Sequence, residues 1–191
     1  MLEIRWHGRG GQGAKTASQL LGEAAAGMGK WVQSFPEYGP ERTGAPVLAF
    51  NRISDEPITL HCNIKNPRVV LVLDASFTGK VDFTAGVPED GVLIINTSAS
   101  PQEMREALAL PPGRIRLFTV DASEISRQTI GRDIPNTPMM GALIGVTKII
   151  PLDDLLEDTR RKLEKKFRTK PEVIQGNLDA IARAAREVKS E

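Results

Sequence analysis

Residues 2–16 read LEIRWHGRGGQGAKT, a short strand-like run followed at once by a cluster of glycines. Leu2 to His7 predicts a first strand. The stretch from Ala14 to Met28 is rich in Ala and Leu and predicts a helix, and Gly29 is a suitable stop. A strand, a glycine loop and a helix in direct succession indicate the beginning of an α/β domain.

The middle of the chain continues this alternation of strands and helices. Three apolar runs, 69–73, 92–95 and 116–120, have the composition of strands that are buried on both faces of a parallel sheet. A helix begins between the last two, because Ser100, Pro101 and Glu103 form a capping-box pattern. Thr137-Pro138 precedes a further helix, which is apolar on all sides and is therefore predicted to be buried.

The fold class that these elements predict is α/β, with a Rossmann-like, doubly wound and mostly parallel sheet. Val47–Ile53 and Ile58–Cys62 flank a turn-like segment and predict an antiparallel hairpin at one edge of the sheet. Two amphipathic helices close the chain. Without an internal repeat or a linker-like segment, residues 1–191 are predicted to form a single domain.

Composition excludes several functional classes. The chain has 25 basic and 24 acidic residues, so its net charge of +1 argues against a nucleic-acid-binding protein. No apolar run is long enough to span a membrane, no signal peptide is recognisable, and the cytoplasm is the expected location. Cys62 is the only cysteine and His7 and His61 are the only histidines, so we predict no iron–sulfur cluster and no metal site in this chain.

The glycine loop is the main candidate binding site. It comprises Gly8, Arg9, Gly10, Gly11, Gln12 and Gly13 and matches G-x-G-x-x-G between a predicted strand and a predicted helix. Glycines allow a ligand to approach the backbone closely, the amide groups of a helix N-terminus favour an anion, and Arg9 adds positive charge.

Three interpretations of this loop remain open. The first is contact with a phosphate or a cofactor. The second is a conventional nucleotide site, but Glu37 is a poor match for a ribose-binding acid because it lies in a Pro/Gly-rich stretch, and Lys15 is displaced by one residue from its place in a P-loop. The third is a tight strand–helix turn without a ligand. Two neighbouring residues are also ambiguous: His7 either contacts a ligand or packs in the core, and Asp74 either contacts a ligand or caps the next helix.

A second segment, from Ser34 to Pro46, carries the candidate interface residues. It is rich in Pro and Gly, and long loops of this kind often have a function. It contains Tyr and Arg, which are enriched at protein interfaces. The candidates are Glu37, Tyr38, Glu41, Arg42 and Thr43.

Three motifs together resemble one family: residues 9–13, residues 37–44, and Asn136-Thr137-Pro138-Met139-Met140-Gly141-Ala142. The chain is similar to gamma subunits of pyruvate:ferredoxin oxidoreductase and its 2-oxoacid relatives, in particular the pyruvate and ketoisovalerate members. The resemblance implies an enzyme that decarboxylates a 2-oxoacid, with pyruvate as the expected substrate, makes an acyl-CoA and reduces ferredoxin.

The resemblance also implies a division of labour among subunits. Partner subunits of alpha, beta and delta type would hold thiamine diphosphate, Mg and the iron–sulfur clusters, and the gamma subunit would lie on the coenzyme A side of the site. This chain would then have no catalytic residue of its own and would be inactive alone. Two alternatives are a free-standing dinucleotide-binding oxidoreductase and a purely structural subunit.

Overall fold

The structure is a computed structural model that describes residues 1–37 and 45–191. Within these ranges the strands are β1 (Leu2–Arg9), β2 (Trp31–Glu37), β3 (Pro46–Ser54), β4 (Val69–Val72), β5 (Gly91–Asn96), β6 (Ile115–Val120) and β7 (Lys189–Ser190). The helices are α1 (Ala14–Gly27), α2 (Pro101–Ala107), α3 (Ala122–Ile130), α4 (Asn136–Thr147), α5 (Leu152–Lys166) and α6 (Pro171–Glu187).

All seven strands form one sheet in the order β2-β3-β1-β4-β5-β6-β7. The four strands β1, β4, β5 and β6 run parallel to one another. β3 is antiparallel to both β1 and β2, and β7 is antiparallel to β6. The predicted α/β class, with a parallel centre and an antiparallel edge, is therefore confirmed.

The strand composition of that antiparallel edge was predicted incorrectly. Ile58–Cys62 forms no strand, and β3 pairs instead with β2 along its length, from Trp31 opposite Ser54 to Glu37 opposite Leu48. A strand has two edges for hydrogen bonding, and β1 and β2 occupy both edges of β3. The 58–62 segment contributes carbonyl groups instead, since those of Leu60 and Cys62 accept hydrogen bonds from Gln33 and Arg52.

The sheet separates two hydrophobic cores. The larger core lies on the face covered by α1, α3, α4, α5 and α6 and includes Ile4, Trp6 and Leu71. The smaller core lies on the opposite face, where Val70 and Val72 meet Phe77, Phe83 and α2. Because alternate residues of β4 enter opposite cores, the whole strand is apolar, as expected for a central parallel strand.

A buried polar chain ties α1 to the sheet. The side chain of Trp6 is fully buried, and its Nε1 donates a 2.8 Å hydrogen bond to Oδ1 of Asn51 on β3. Nδ2 of Asn51 donates to the carbonyl oxygen of Ser18 on α1 at 2.8 Å. These bonds satisfy polar groups that would otherwise be buried without partners, and they determine how α1 sits across β1 and β3.

Local signals predicted some helices and missed others. The capping box at Ser100 is present, with the Ser100 hydroxyl accepting from the amide of Glu103 and the Glu103 carboxylate accepting from the amide of Ser100. Helix α3 was not predicted, although Asp121 caps it by accepting from the amide of Glu124. In the described ranges, the helices are too short or too polar to cross a membrane.

Candidate functional site

The glycine loop lies at the carboxyl edge of the parallel strands. Gly8 and Arg9 are the last residues of β1, which is longer than predicted because they pair with Val47 and Pro46 of β3. Gly10–Gly13 then connects β1 to α1. The amide of Gly10 donates a 3.1 Å hydrogen bond to the carbonyl oxygen of Ala45, so the start of β3 is attached directly to the loop.

Gly13 sets the entry of the chain into α1. Its φ is 81°, in the left-handed region that glycine adopts readily, and no side chain of the described residues caps the helix. A Cβ at this position would lie 2.6 Å from Nδ2 of Asn136, at the start of α4. Glycine is thus required both by backbone conformation and by the close approach of Asn136.

Arg9 spans from β1 to the segment after β4. Its Nε donates a 2.6 Å hydrogen bond to Oδ2 of Asp74, and its Nη2 donates a 2.8 Å bond to Oγ of Ser76. The guanidinium carbon lies 4.4 Å from the centre of the Phe77 ring, a cation–π distance. Arg9 is therefore held in one orientation with part of its side chain exposed.

Gln12 links the loop backbone to the same carboxylate. Its Oε1 accepts from the amide of Arg9 at 2.8 Å, and its Nε2 donates to Oδ2 of Asp74 at 3.1 Å. The side chain of Gln12 therefore closes a ring of hydrogen bonds that includes both the backbone and the side chain of Arg9. This ring gives a loop of small residues a defined shape.

Asp74 follows β4 and has two roles in this geometry. Its Oδ1 caps the 3-10 turn Ala75–Phe77 by accepting from the amide of Ser76 at 2.9 Å, as the capping interpretation predicted. Its Oδ2 accepts hydrogen bonds from Nε of Arg9 and Nε2 of Gln12. Burial tends to raise the pKa of Asp74, but the hydrogen bonds from Ser76 and the nearby Arg9 outweigh burial and lower the pKa, which favours the ionised carboxylate.

His7 packs into the smaller core side of the sheet. It is 6% exposed, and its ring meets that of Phe83 edge-on at 5.3 Å between centroids. Its Nε2 is buried and has no hydrogen-bond partner in the described part of the chain. Burial, with a smaller effect of the Arg5 charge, lowers the pKa of His7 to about 3, so the ring is neutral at physiological pH.

Of the predicted interface residues, only Glu37 lies within the described ranges. It is the exposed last residue of β2. Tyr38, Glu41, Arg42 and Thr43 lie outside the described residues. The segment that contains them is bounded by Glu37 on one side and by Ala45 on the other, and Ala45 is bonded to Gly10. The two predicted sites are therefore adjacent at this boundary.

Metal ligands do not gather in the described part of the chain, where no group of three or more His, Cys, Asp or Glu side chains could hold an ion. Cys62, the only cysteine, is exposed. A chain with one cysteine cannot supply the four thiolates of an ordinary iron–sulfur cluster. The glycine loop and its contacts with Asp74 form a polar constellation at the carboxyl edge of the parallel strands.

The connections that follow β1 and β4 leave the sheet on opposite faces, next to the glycine loop. The connection from β1 runs through α1 on one face of the sheet, whereas the connection from β4 runs through Phe77 on the opposite face. β1 and β4 are adjacent and parallel, with His7 opposite Val72. Their carboxyl ends therefore form a topological switch point, the position at which open α/β sheets generally bind ligands.

Comparison with known proteins agrees with this architecture. The family model described as pyruvate ferredoxin/flavodoxin oxidoreductase matches residues 3–187, so the chain belongs to this family of oxidoreductase subunits. It is 48% identical to the pyruvate synthase subunit PorC of Thermotoga maritima over 188 residues, which cover 98% of this chain and 95% of that protein.

Two further similarities support the same assignment. Over 162 residues the chain is 48% identical to the common gamma subunit of the pyruvate/ketoisovalerate oxidoreductases of Pyrococcus abyssi, covering 83% of this chain and 86% of that one. The crystal structure of the pyruvate oxidoreductase subunit PORC from Thermotoga maritima superposes with a TM-score of 0.84 at 45% identity, covering 100% of this chain and 98% of that chain. The family resemblance inferred from the three motifs is confirmed.

Proposed function

We propose that this chain is the gamma subunit of a multi-subunit 2-oxoacid:ferredoxin oxidoreductase, with pyruvate as its substrate, and that its glycine loop helps to bind coenzyme A. The enzyme would decarboxylate the 2-oxoacid, transfer the acyl group to CoA and pass electrons to ferredoxin. Support for this role comes from the relatives named as pyruvate synthase and pyruvate/ketoisovalerate oxidoreductase subunits, which align over most of their length.

The residues of this chain suit coenzyme A and do not suit an iron–sulfur cluster. The single cysteine cannot supply the thiolates of an iron–sulfur cluster, so we assign the clusters to partner subunits of alpha, beta and delta type. We assign thiamine diphosphate and Mg to the same partners because the family resemblance implies it. A CoA phosphate, in contrast, suits a glycine loop at a helix N-terminus with an arginine beside it. The proposed cofactor-binding residues are Gly8, Arg9, Gly10, Gly11, Gln12 and Gly13.

The observation that carries the proposal is the position of the loop at the switch point between β1 and β4. At Gly11 φ is 99°, and a Cβ built there would have no described atom within 4 Å. At Gly11 the loop backbone therefore borders open space, whereas Gly8 and Gly13 pack against the described parts of the chain. This is the arrangement that a ligand approaching the start of α1 requires.

The dinucleotide-binding alternative is disfavoured by strand order. In a dinucleotide-binding fold the ribose-binding acid ends the strand beside β1. Glu37 ends β2, and β3 lies between β2 and β1. β2, which ends at Glu37, is therefore two strand spacings, about 10 Å, from β1. In the dinucleotide-binding motif the corresponding two strands are direct neighbours, one spacing apart.

Replacing Gly11 tests the proposed CoA contact. In the assembled enzyme, Gly11→Ala adds a methyl group to the exposed loop backbone and should raise the KM for CoA while leaving the KM for pyruvate unchanged. Gly29→Ala is the matched control: Gly29 has a similar φ of 82° and an equally open Cβ position, but it lies after the other end of α1. Equal KM values for CoA in the two variants would leave the loop as a structural turn.

We further propose that the segment from Ser34 to Pro46 contacts a partner subunit through Glu37, Tyr38, Glu41, Arg42 and Thr43. Its attachment to the glycine loop through Ala45 supports a role next to the CoA site. Hydrogen exchange of the isolated chain and of the assembled enzyme tests this contact. Protection of the segment on assembly is expected, and unchanged exchange there would refute the interface.

A further inference from the structure

The carboxylate of Asp74 joins the glycine loop to the turn after β4 at the switch point between β1 and β4. Oδ2 accepts hydrogen bonds from Nε of Arg9 at 2.6 Å and from Nε2 of Gln12 at 3.1 Å, and Oδ1 accepts one from the amide of Ser76 at 2.9 Å. The donors come from the glycine loop after β1 and from the turn after β4. Gln12 and Arg9 are 62 and 65 positions from Asp74 in the chain, so no local turn requirement brings them to its carboxylate.

We propose that Asp74 is a positioning residue for anion binding by the glycine loop: it fixes the Arg9 guanidinium and, through Gln12, the loop backbone. This inference rests on the proposed function of the loop. It adds a residue outside the glycine motif, and it assigns to the carboxylate a role that a cap of the 3-10 turn does not require.

Comparison with another capping aspartate in this protein separates the two roles. Asp121 also follows a parallel strand, β6, and its Oδ1 accepts from the amide of Glu124 at 2.9 Å. That bond is a standard helix cap. Asp74 makes the equivalent bond with Oδ1 and uses its second oxygen for Arg9 and Gln12. The second oxygen is thus available for positioning without any loss of capping.

A carboxylate beside an anion site has two opposing effects, and the geometry decides between them. Its negative charge repels an incoming phosphate, but the same charge holds Arg9 and Gln12 in place. The Arg9 side chain is 36% exposed and the Asp74 side chain 15% exposed, so solvent screens the repulsion in part, and the Arg9 charge 2.6 Å from Oδ2 offsets much of the negative charge. The hydrogen bonds that hold Arg9 are short and directional. Without them the arginine side chain would be mobile, and binding the ligand would cost the conformational entropy of ordering it. Positioning therefore outweighs repulsion.

Asp74→Asn in the assembled enzyme tests the inference through the sign of its effect. The amide oxygen can still cap Ser76, but the amide nitrogen then faces two other donors, Arg9 Nε and Gln12 Nε2. We expect the KM for CoA to rise on the order of tenfold, as for loss of a charged hydrogen bond, with kcat and the KM for pyruvate unchanged. Asp121→Asn, the matched control, should leave all three constants at the wild-type values.

A double-mutant cycle with Arg9→Ala identifies the path of the effect. If Asp74 acts by holding Arg9 and the loop, adding Asp74→Asn to Arg9→Ala should change the KM for CoA much less than it does in the wild type. Hydrogen exchange without CoA gives a readout independent of activity: amides of residues 9–13 should exchange faster in Asp74→Asn and not in Asp121→Asn.

The outcomes separate this inference from the proposed function. If Arg9→Ala and Gly11→Ala both keep wild-type CoA dependence, the loop does not bind CoA and the proposed function of the loop fails. If those variants raise the KM for CoA while Asp74→Asn leaves it unchanged or lowers it, the loop binds CoA and only the positioning role of Asp74 is refuted.

Discussion

Gly13→Ala should destabilise the protein for two reasons that can be separated. Gly13 has a φ of 81°, a conformation that costs an alanine about 1–2 kcal/mol. The added methyl group would also lie 2.6 Å from Nδ2 and 3.0 Å from Cγ of Asn136. Asn136 is 9% exposed, and its Oδ1 accepts from the amide of Thr137, so its displacement sacrifices roughly a further 1 kcal/mol.

The sum, about 2–3 kcal/mol, is measurable by thermal unfolding of the purified chain. For a chain of this length each kcal/mol lowers Tm by about 2–4 °C, so Gly13→Ala should lower Tm by about 4–12 °C. Gly29→Ala is the control for backbone strain alone, because its φ is 82° and no described atom lies within 4 Å of a Cβ there. Its decrease in Tm should be the smaller of the two.

Asn136→Ala removes the two atoms nearest to the new methyl group, Nδ2 and Cγ, and leaves Cβ of residue 136 at 3.1 Å. In that background the cost of Gly13→Ala should fall towards the cost of Gly29→Ala in the wild type. The reasoning would be refuted if Gly13→Ala and Gly29→Ala lowered Tm equally in the wild-type background, because the contact with Asn136 would then contribute nothing.

Three other predictions concern stability and activity. Trp6→Phe leaves Oδ1 of Asn51 without its buried donor and should lower the free energy of unfolding by about 1–3 kcal/mol, measured by urea denaturation. The pKa of His7 is held at about 3, below its usual 6.5, so the buried neutral ring contributes its full stability above pH 6.5 and loses it as the pH falls towards 3. In the wild type the free energy of unfolding should therefore decline by on the order of 1 kcal/mol per pH unit below 6.5, and His7→Gln should remove that decline. An unchanged dependence of the free energy of unfolding on pH in His7→Gln would contradict this assignment. The purified single chain should show no reduction of ferredoxin or viologen with any 2-oxoacid, and turnover without partner subunits would overturn the division of labour proposed here.

The strands that could be predicted best were those of the parallel centre. β4 and β5 were recognised within one residue because burial on both faces requires an uninterrupted apolar run. β6 was also recognised within one residue, although Arg116 is exposed and only one of its faces is fully buried. The capping box of α2 was equally clear, since its bonds connect residues three apart in the chain. Signals of this kind are local and do not depend on which strands become neighbours.

At the antiparallel edge, local composition does not determine which strands pair. Both Trp31–Phe35 and Ile58–Cys62 have strand-like composition, and only one of them could pair with the free edge of β3. Pro36 and Glu37, which the Pro/Gly-rich composition placed in a loop, extend β2 in the structure. The choice depends on α1, because Asn51 of β3 bonds both Ser18 of α1 and Ser34 of β2, which brings the three elements together. These residues are far apart in the chain, and composition alone contains no information about their contact.

The candidate site divides in the same way. The amino-acid sequence by itself determined that a glycine loop follows the first strand and precedes a helix, because glycine and helix-forming residues act through their immediate neighbours. Only the tertiary structure decided that β4 lies beside β1 and that Asp74 therefore accepts hydrogen bonds from Arg9 and Gln12. The physical reason is that an ion pair requires proximity in space, and the order of strands in a sheet is decided by the packing of helices and edges over the whole chain.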